Sequence, residues 1–300
     1  MNQDYIKRVN RILTFIDQNI DSELSLEKVA AVGHYSPFHL HRIFKEVTNE
    51  TLNAYITRKR IEKTAAMLMH RKELSIAEIY IQNGFNSNSS FTRAFKKFYS
   101  LSPTEYRDLS PDQFSKISRT DSKNGQTQGL LAAYICTMNE LKNWIANNAT
   151  IEIKELPKLD LAYITQIGVA GLPDAFGRLL NWARPKGLLQ TEDLKLARIY
   201  HDSFKITAPE KVRMSVCLVL KEPIAVDGEV GLTTINSGKF IVGRLEIEPK
   251  DFEKAWRGLF AWMNENGYKK ADQNPFEIYH NDFNTHPEKK FIVDLYIPIV

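Results

Sequence analysis

The N-terminal third of the chain repeats itself after about fifty residues, and this internal repeat limits the possible folds more than any other feature. The segment Leu24–Leu26 recurs as Leu74–Ile76, and Leu40–Lys45 recurs as Phe91–Lys96. Repeats of this length are supersecondary units that pack against one another to bury their apolar faces. The sequence therefore predicts two copies of one helical unit in residues 1–109.

Helix-boundary signals predict that each copy consists of two helices joined by a tight turn. Ser75 and Glu78 have the spacing of a capping box, in which the two side chains satisfy backbone amides at the helix start. Gly33 and Gly84 are expected to end the first helix of each copy in a positive-φ conformation. Between the copies, residues 52–69 are predicted to form one continuous helix, about 27 Å long at 1.5 Å per residue.

The second helix of each copy is amphipathic. Its predicted core stripe consists of Leu40, Ile43, Phe44 and Val47 in the first copy and of Phe91, Ala94, Phe95 and Phe98 in the second. The opposite face of each helix has one arginine, Arg42 or Arg93, among polar neighbours. Arginine pairs bidentately with guanine in the major groove, and two such helices can enter groove segments about 34 Å apart along a duplex. Because both copies place an arginine at the same position, we predict that these faces bind double-stranded DNA.

The predicted DNA-contacting residues lie on these two exposed faces or at the starts of the helices. They are Ser36, Phe38, His41, Arg42 and Lys45 in the first copy, and Asn88, Ser89, Thr92, Arg93, Lys96 and Lys97 in the second. The arginines are expected to contact bases and the lysines phosphates. For any one of these charged residues taken alone, a solvated surface charge is the better explanation. Since one chain has two recognition helices, binding as a monomer or weak dimer is predicted.

The charge distribution and a polar stretch divide the chain. The first 110 residues contain 16 lysines and arginines against 12 acidic residues, whereas residues 150–300 contain 20 against 21. A basic excess in the first part is consistent with a polyanionic partner. The stretch 110–129 is rich in glycine, serine and asparagine and lacks apolar periodicity, which is typical of a linker. We therefore predict domains at 1–109 and 150–300, joined by a connecting segment at 110–149.

The C-terminal half contains a second internal repeat. The segment Phe176–Trp182 recurs as Trp256–Trp262, and Ile199–Phe204 recurs as Ile278–Phe283. Each copy has the order strand, helix, strand, strand, which predicts an antiparallel sheet with pseudo-twofold symmetry and both helices on one face. The predicted fold class is multidomain: an all-α double helix-turn-helix domain followed by an α+β domain of two pseudo-symmetric repeats.

A pseudo-twofold axis between two such units commonly leaves a groove, and large aromatic residues are frequent in this half. The candidate ligand-site residues are Glu277, Tyr279, Trp256, Trp182, Tyr200, Phe240 and Arg198. Glu277 and Tyr279 share one face of their strand, and a carboxylate in an aromatic cavity suits a lipophilic cation. The alternative is that the aromatic residues form the core, as is expected for Phe260 and Trp262.

Arg198 occupies the position in the first copy that Glu277 occupies in the second, because each precedes its Ile-Tyr pair by one residue. If the twofold axis passes between the two strands, the side chains meet as an arginine–carboxylate pair, and an anionic or zwitterionic ligand becomes plausible. The alternative is that Arg198 points into water from a strand end.

Composition and motifs argue against several other classes of protein. Cys136 and Cys217 lie far apart without a CxxC spacing, which excludes a disulfide scaffold and a thiolate zinc site. The N-terminus has no signal-peptide pattern and no apolar run approaches ~20 residues, so a cytoplasmic protein without membrane contact is expected. His39 and His41 point to different helix faces, and the sequence indicates no nucleophile–base pair or phosphate-binding loop. No metal, cofactor or enzymatic activity is expected.

Residues 24–107 resemble the AraC/XylS family of transcriptional regulators. The matching segments are Ser36–Lys45, Tyr55–Ile61, Ala77–Ile79, Gly84–Phe85, Ser89–Lys96 and Ser102–Arg107. The resemblance implies a DNA-binding domain of two helix-turn-helix units joined by one long helix, with RNA polymerase as a partner. It also implies that Phe38, His41 and Arg42 face one groove segment, where relatives often have glutamine at the position of His41. The residues that would face the next segment are Asn88, Ser89, Thr92 and Arg93.

Residues 151–300 resemble the GyrI-like effector-binding domains, which recur fused to AraC-type domains. The matching segments are Ile151–Pro157, Ile199–Asp202, Gly238–Phe240, Asn266–Tyr268, Phe276–Tyr279 and Asp294–Pro298. The resemblance implies that Glu277 lies at a ligand cavity with aromatic walls. This chain differs from the family at Arg198, where a small residue, often glycine, is usual.

Together these features predict a sequence-specific DNA-binding transcription regulator whose C-terminal domain senses a small lipophilic or cationic effector. Two alternatives are kept. Some GyrI-like domains are reported as hydrolases of strained electrophiles, which would use the same glutamate and aromatic groups. The C-terminal domain could also be a protein-interaction module without a small-molecule ligand.

Overall fold

The structure, a computed structural model, describes residues 3–108, 140–189, 194–202 and 207–300. These residues form two compact units. The predicted linker at 110–129 lies outside the described residues. Within the described part of the chain, no helix is long and apolar enough to cross a membrane.

The described residues of the first unit form helices joined by short turns. The helices are α1 (Gln3–Gln18), α2 (Leu26–Val32), α3 (Pro37–Thr48), α4 (Leu52–His70), α5 (Ile76–Gln82), α6 (Asn88–Tyr99) and α7 (Pro103–Asp108). Helices α2 and α3 are one helix-turn-helix unit, α5 and α6 are the other, and α4 packs against both α3 and α6. The predicted repeat and the continuous helix between its copies are therefore confirmed.

Helix α1 adds to the predicted unit. Its buried residues Val9, Ile12, Leu13 and Ile16 recur at intervals of three and four, which is the spacing of an amphipathic helix. They pack with Leu40 of α3 in one core. The helix precedes the first copy of the repeat, so the repeat alone does not reveal it, whereas the apolar spacing does.

The turn between α2 and α3 differs from the expectation. Gly84 has the expected positive φ of +77°, but Gly33 has φ −88°, and the left-handed residue of the first turn is His34, with φ 54°. Residues 34 and 84 are fifty apart, so both copies have their left-handed residue at the same repeat position. Gly33 instead makes room for Ile12, because a Cβ at residue 33 would lie 2.5 Å from Ile12 Cδ1. The positive-φ prediction for Gly33 is wrong.

The predicted core stripe of α6 is wrong at its last residue. Phe98 is 41% exposed, whereas Tyr99 is buried. Phe91, Phe95 and Tyr99 follow one another at intervals of four, and this row faces the core. Tyr106 of α7 explains why Tyr99 and not Phe98 faces the core. Its ring lies 5.1 Å from that of Phe95 and 4.8 Å from that of Tyr99.

The described residues of the second unit form an eight-stranded antiparallel sheet, two helices that pack on it, and a helical segment at residues 140–148. The strands are β1 (Ala149–Leu156), β2 (Leu159–Ile167), β3 (Leu196–Tyr200), β4 (Arg213–Leu220), β5 (Gly231–Ile235), β6 (Gly238–Ile247), β7 (Phe276–Tyr279) and β8 (Phe291–Ile299), and the helices are α8 (Leu172–Ala183) and α9 (Phe252–Glu265). The strand order is β1-β6-β8-β7-β3-β4-β2-β5, which maps onto itself when the two copies are exchanged. The pseudo-twofold axis predicted from the repeat thus passes between β7 and β3. Each copy also has one outer strand, β1 or β5, before its strand-helix-strand-strand core.

Both helices lie on one face of this sheet. Phe176 of α8 and Trp256 of α9 pack against the same apolar cluster, which includes Leu295 of β8. The opposite face has its own cluster, which includes Phe276. In the predicted connecting segment, residues 140–148 are helical and Ile145 is buried in the core of this second unit.

Candidate functional sites

Helix α3 presents a basic face with an aromatic residue at its start. Ser36 caps the helix, since its hydroxyl oxygen accepts from the backbone amide of His39 at 3.3 Å. Phe38 is 84% exposed, a large value for an apolar side chain, and His41, Arg42 and Lys45 are exposed as well. The opposite side of the helix is buried in the core through Leu40, Ile43 and Phe44. Four of the five predicted contact residues of this copy thus share one solvent face, with Ser36 at its edge.

Helix α6 repeats this arrangement with smaller polar groups. Ser87 caps the helix, and Asn88, Ser89, Arg93, Lys96 and Lys97 are exposed. Thr92 is half-buried, and its hydroxyl donates to Asn88 Oδ1 at 3.1 Å. This contact ties the Asn88 side chain to Thr92, one turn further along the helix.

Arg60 of α4, a residue that sequence analysis did not single out, contacts two turns of the helical domain. Its guanidinium donates to the carbonyl oxygen of Ile20 at 2.9 Å and to that of Ser22 at 2.6 Å, in the turn between α1 and α2. The same group lies against Gly84 in the turn between α5 and α6. Burial lowers the pKa of Arg60, although the charge of Asp21 works in the opposite direction. One side chain thus connects the turn before the first helix-turn-helix unit to the turn of the second.

The candidate ligand site in the second unit is centred on a pair of charged residues. Arg198 of β3 and Glu277 of β7 are direct partners in the strand register, on the two strands beside the pseudo-twofold axis. Arg198 Nη2 lies 2.5 Å from Glu277 Oε1. The predicted pairing across the axis is therefore confirmed, and the alternative in which Arg198 points into water is wrong.

The Glu277 carboxylate receives hydrogen bonds from four side chains. Its Oε1 accepts from Arg198 and from the Tyr279 hydroxyl, and its Oε2 accepts from the Tyr200 hydroxyl at 2.7 Å and from Trp256 Nε1 at 3.2 Å. Two carboxylate oxygens offer about four lone-pair sites, so the acceptor capacity of this group is used up. Glu277 is fully buried, which is compatible with a charge only because of these donors.

The guanidinium of Arg198 lies between two aromatic rings. Its Cζ is 5.0 Å from the ring centroid of Tyr200 and 5.4 Å from that of Phe252, both within cation–π range. Burial is the largest single effect and acts to lower the pKa of Arg198, but the charge and hydrogen bond of Glu277 together with Tyr200 and Tyr279 outweigh it. The pKa is raised, so the guanidinium stays protonated. Burial also raises the pKa of the Tyr200 and Tyr279 hydroxyls, which therefore keep their donor protons.

The structure brings five of the seven predicted ligand-site residues together and adds two aromatic ones. The five are Glu277, Tyr279, Tyr200, Trp256 and Arg198. Phe252 joins them through Arg198, and Phe176 packs edge-on against Tyr279 with ring centroids 5.9 Å apart. Phe176 lies within the repeated segment, so the repeat could have identified it as a candidate ligand-site residue. Phe252 precedes the second copy of that segment, so the repeat gives no signal for it.

Two predicted residues lie elsewhere. Phe240 packs with Phe276 and Tyr296 in the cluster on the other face of the sheet, because its position in β6 points away from the helices. Trp182 ends α8 near the surface, where its indole nitrogen donates to Asp227 at 2.8 Å. Phe260 and Trp262, predicted as core, are half-buried and pack against the edge of the core cluster.

A hydroxyl–imidazole contact, which the sequence did not indicate, is also present. Ser215 Oγ lies 2.8 Å from His201 Nε2, and the amide of Asn274 lies 3.2 Å from His201 Nδ1. Ser215 is 1% exposed, so its hydroxyl is closed to solvent in this structure. Among the described residues, no cluster of three or more histidine, cysteine, aspartate or glutamate side chains could hold a metal ion.

Family profiles match both parts of the chain. The GyrI-like small molecule binding domain matches residues 149–300, and a helix-turn-helix domain matches residues 29–108. The first match covers half of the chain, and the second contains both recognition helices.

Characterised relatives match the N-terminal third. Transcriptional regulator Rob of Salmonella typhimurium is 40% identical over 99 residues, which are 33% of this chain and 34% of Rob. Multiple antibiotic resistance protein MarA of Escherichia coli K12 is 39% identical over 101 residues, which are 33% of this chain and 77% of MarA. The match thus spans about a third of the length of Rob but most of MarA.

Among solved structures, an EcmrR–DNA complex determined by cryo-electron microscopy is similar to this chain at 10% identity and a TM-score of 0.45. It covers 91% of this chain and 98% of that one. Family membership rests on the two profile matches and on MarA. The chain belongs to the AraC/XylS family of DNA-binding transcription regulators, with a C-terminal GyrI-like small molecule binding domain.

Proposed function

We propose that this protein binds specific DNA sites through α3 and α6 and controls transcription in response to a small lipophilic molecule bound near Glu277. One observation supports the DNA half most strongly: the repeat places Arg42 and Arg93 on the solvent faces of two helices whose opposite faces are buried. A pair of equivalent basic helix faces on one rigid unit is what reading two successive groove segments requires.

The contacts divide by chemistry. Arg42 and Arg93 recognise bases, because a guanidinium can pair with both acceptors of guanine. Lys45, Lys96 and Lys97 neutralise phosphates and position the helices without selecting a sequence. The remaining proposed contacts are Ser36, Phe38, His41, Asn88, Ser89 and Thr92.

The wider proposal is supported by family membership, by the two recognition helices and by the sequence of the connecting segment. The protein acts in the cytoplasm, binds one operator as a monomer or weak dimer, and contacts RNA polymerase. Its functional domains extend over residues 1–109 and 150–300, with 110–149 as the connection. The C-terminal domain binds its ligand without transforming it.

The direct test of the DNA half is selection of bound duplexes from a random library with the full-length protein. A recovered motif of two segments spaced by about one helical turn supports the proposal. Recovery of no motif, with affinity independent of sequence, contradicts it. Arg184→Ala, which removes an exposed arginine of the second unit, is the control for loss of charge alone and should recover the same motif.

One observation favours a second function, hydrolysis of a small electrophile. The Ser215 hydroxyl lies 2.8 Å from His201 Nε2, within the distance at which an imidazole can activate a nucleophile. Turnover of epoxide and activated-ester probes by the wild type, abolished in Ser215→Ala, would support this alternative. Absence of turnover under conditions in which the protein binds a ligand supports the regulator.

A further inference from the structure

The aromatic and carboxylate groups that would accept a cationic ligand already surround a cation of the chain itself. The guanidinium of Arg198 sits on the Glu277 carboxylate and over the rings of Tyr200 and Phe252. A carboxylate with aromatic faces is the arrangement that binds organic cations. In this structure, Arg198 occupies the place that such a ligand would take.

The cluster has a donor without a partner but no acceptor without one, and this favours a ligand that contains a hydrogen-bond acceptor. Glu277 accepts from Arg198, Tyr279, Tyr200 and Trp256, which leaves no lone pair for a donor on a ligand. Arg198 Nε, in contrast, is buried and makes no hydrogen bond. Arg198 therefore has donor capacity to spare, whereas Glu277 has no acceptor capacity left.

Exposure points in the same direction. Glu277 has 0% of its side chain exposed, whereas Arg198 has 13%. Arg198 is therefore the member of the pair that solvent, and any molecule entering from solvent, meets first. The charge of Glu277 is neutralised behind it.

We propose that the C-terminal site selects an aromatic or lipophilic molecule with a carboxylate or similar anionic group, which Arg198 binds, and that it discriminates against lipophilic cations. This proposal rests on the proposed ligand-sensing function and names the ligand class of that site. The carboxylate of the ligand binds the part of the Arg198 guanidinium that solvent reaches, while Glu277 holds Nη2. The aromatic side chains Phe176, Phe252 and Trp256 supply the apolar walls.

The test is calorimetric titration of the full-length protein with three probes that share one ring system: naphthoate, naphthamide and naphthylmethylammonium. The wild type is expected to bind naphthoate at least ~10-fold more tightly than the ammonium compound, the value of one charge-assisted hydrogen bond. Arg198→Met is expected to reverse this order, because it leaves Glu277 without its cation. Arg244→Met removes an arginine from another arginine–carboxylate pair, that with Asp294, and should leave the preference unchanged.

The double variant Arg198→Met/Glu277→Gln has no buried charge at the site and covers the case in which the single variant does not fold. It should bind the neutral naphthamide as the wild type does and lose the preference for naphthoate. If the wild type prefers the ammonium probe, the inference of an anionic ligand is overturned, but the proposed ligand-sensing function is not. The same holds if either Arg198 variant still prefers naphthoate. Binding of none of the three probes overturns both the inference and the ligand-sensing half of the proposed function.

Discussion

The guanidinium of Arg60 lies so close to Gly84 that a Cβ at residue 84 would come within 2.8 Å of Arg60 Cζ. Arg60 is fixed from the other side by the carbonyl oxygens of Ile20 and Ser22. The turn of the second helix-turn-helix unit therefore lies against a side chain that is hydrogen-bonded to the turn before the first unit. We expect the relative position of the two recognition helices to depend on this contact.

Gly84→Ala is expected to lower the free energy of unfolding through two effects. Residue 84 has φ +77°, which costs an alanine about 1–2 kcal/mol, and the new methyl group would collide with Arg60. In an Arg60→Ala background only the backbone cost should remain, so the double-mutant cycle should show coupling between the two substitutions. Chemical denaturation measures all four proteins. If the effects of the two substitutions on the free energy of unfolding were strictly additive, the proposed collision between residue 84 and Arg60 would be contradicted.

Arg60→Ala is also expected to alter DNA binding without touching a base. Its guanidinium donors bind carbonyl oxygens in the protein, so the substitution loosens the spacing of α3 and α6 and removes no proposed DNA contact. Affinity should fall for a site with both groove segments but stay nearly unchanged for either segment alone. An equal loss on half-sites and full sites would instead indicate that Arg60 binds DNA directly.

Lys96→Ala is expected to weaken binding to all DNA sequences alike. Lys96 is exposed on α6 beside Arg93, and loss of one phosphate contact should reduce the slope of log affinity against log salt by about one unit. Fluorescence anisotropy at several salt concentrations measures this slope. Lys63→Ala, on an exposed position of α4 outside the proposed faces, is the matched control and should leave the slope unchanged.

The second unit should lose stability at low pH through Asp294. Burial acts to raise the pKa of this carboxyl, but hydrogen bonds from His280 and Arg244 outweigh it and lower the pKa from 3.8 to about 2. A carboxylate with a lowered pKa stabilises the folded state above its unfolded pKa, and this contribution is lost as the pH falls towards 2. Asp294→Asn should flatten the decline in the free energy of unfolding between about pH 4 and pH 2. The exposed Glu155→Gln should follow the wild type, and an identical decline in Asp294→Asn would refute the assignment.

Repeats and periodicity predicted the helix-turn-helix pairs and the pseudo-symmetric sheet, because a repeat constrains both local structure and packing. They left two alternatives for Arg198, of which pairing with Glu277 required the twofold axis to pass between the two strands, as it does. They failed for Phe240, because alternation along a strand shows which residues share a face but not which face meets the helices. Near β7 both faces of the sheet are buried, so hydrophobicity does not decide between them. Gly33 shows a second limit, since a close contact and a positive φ both select glycine.

The most direct test of the central claim is to repeat selection from a random duplex library with Arg42→Ala and Arg93→Ala. The account predicts that each variant loses sequence preference in a different segment of the motif, with the two affected positions about one helical turn apart. Each should also lose about 1–3 kcal/mol of binding free energy at the wild-type site. Loss of preference at the same position in both variants, or an unchanged motif in either, would contradict the assignment of α3 and α6 as two recognition helices.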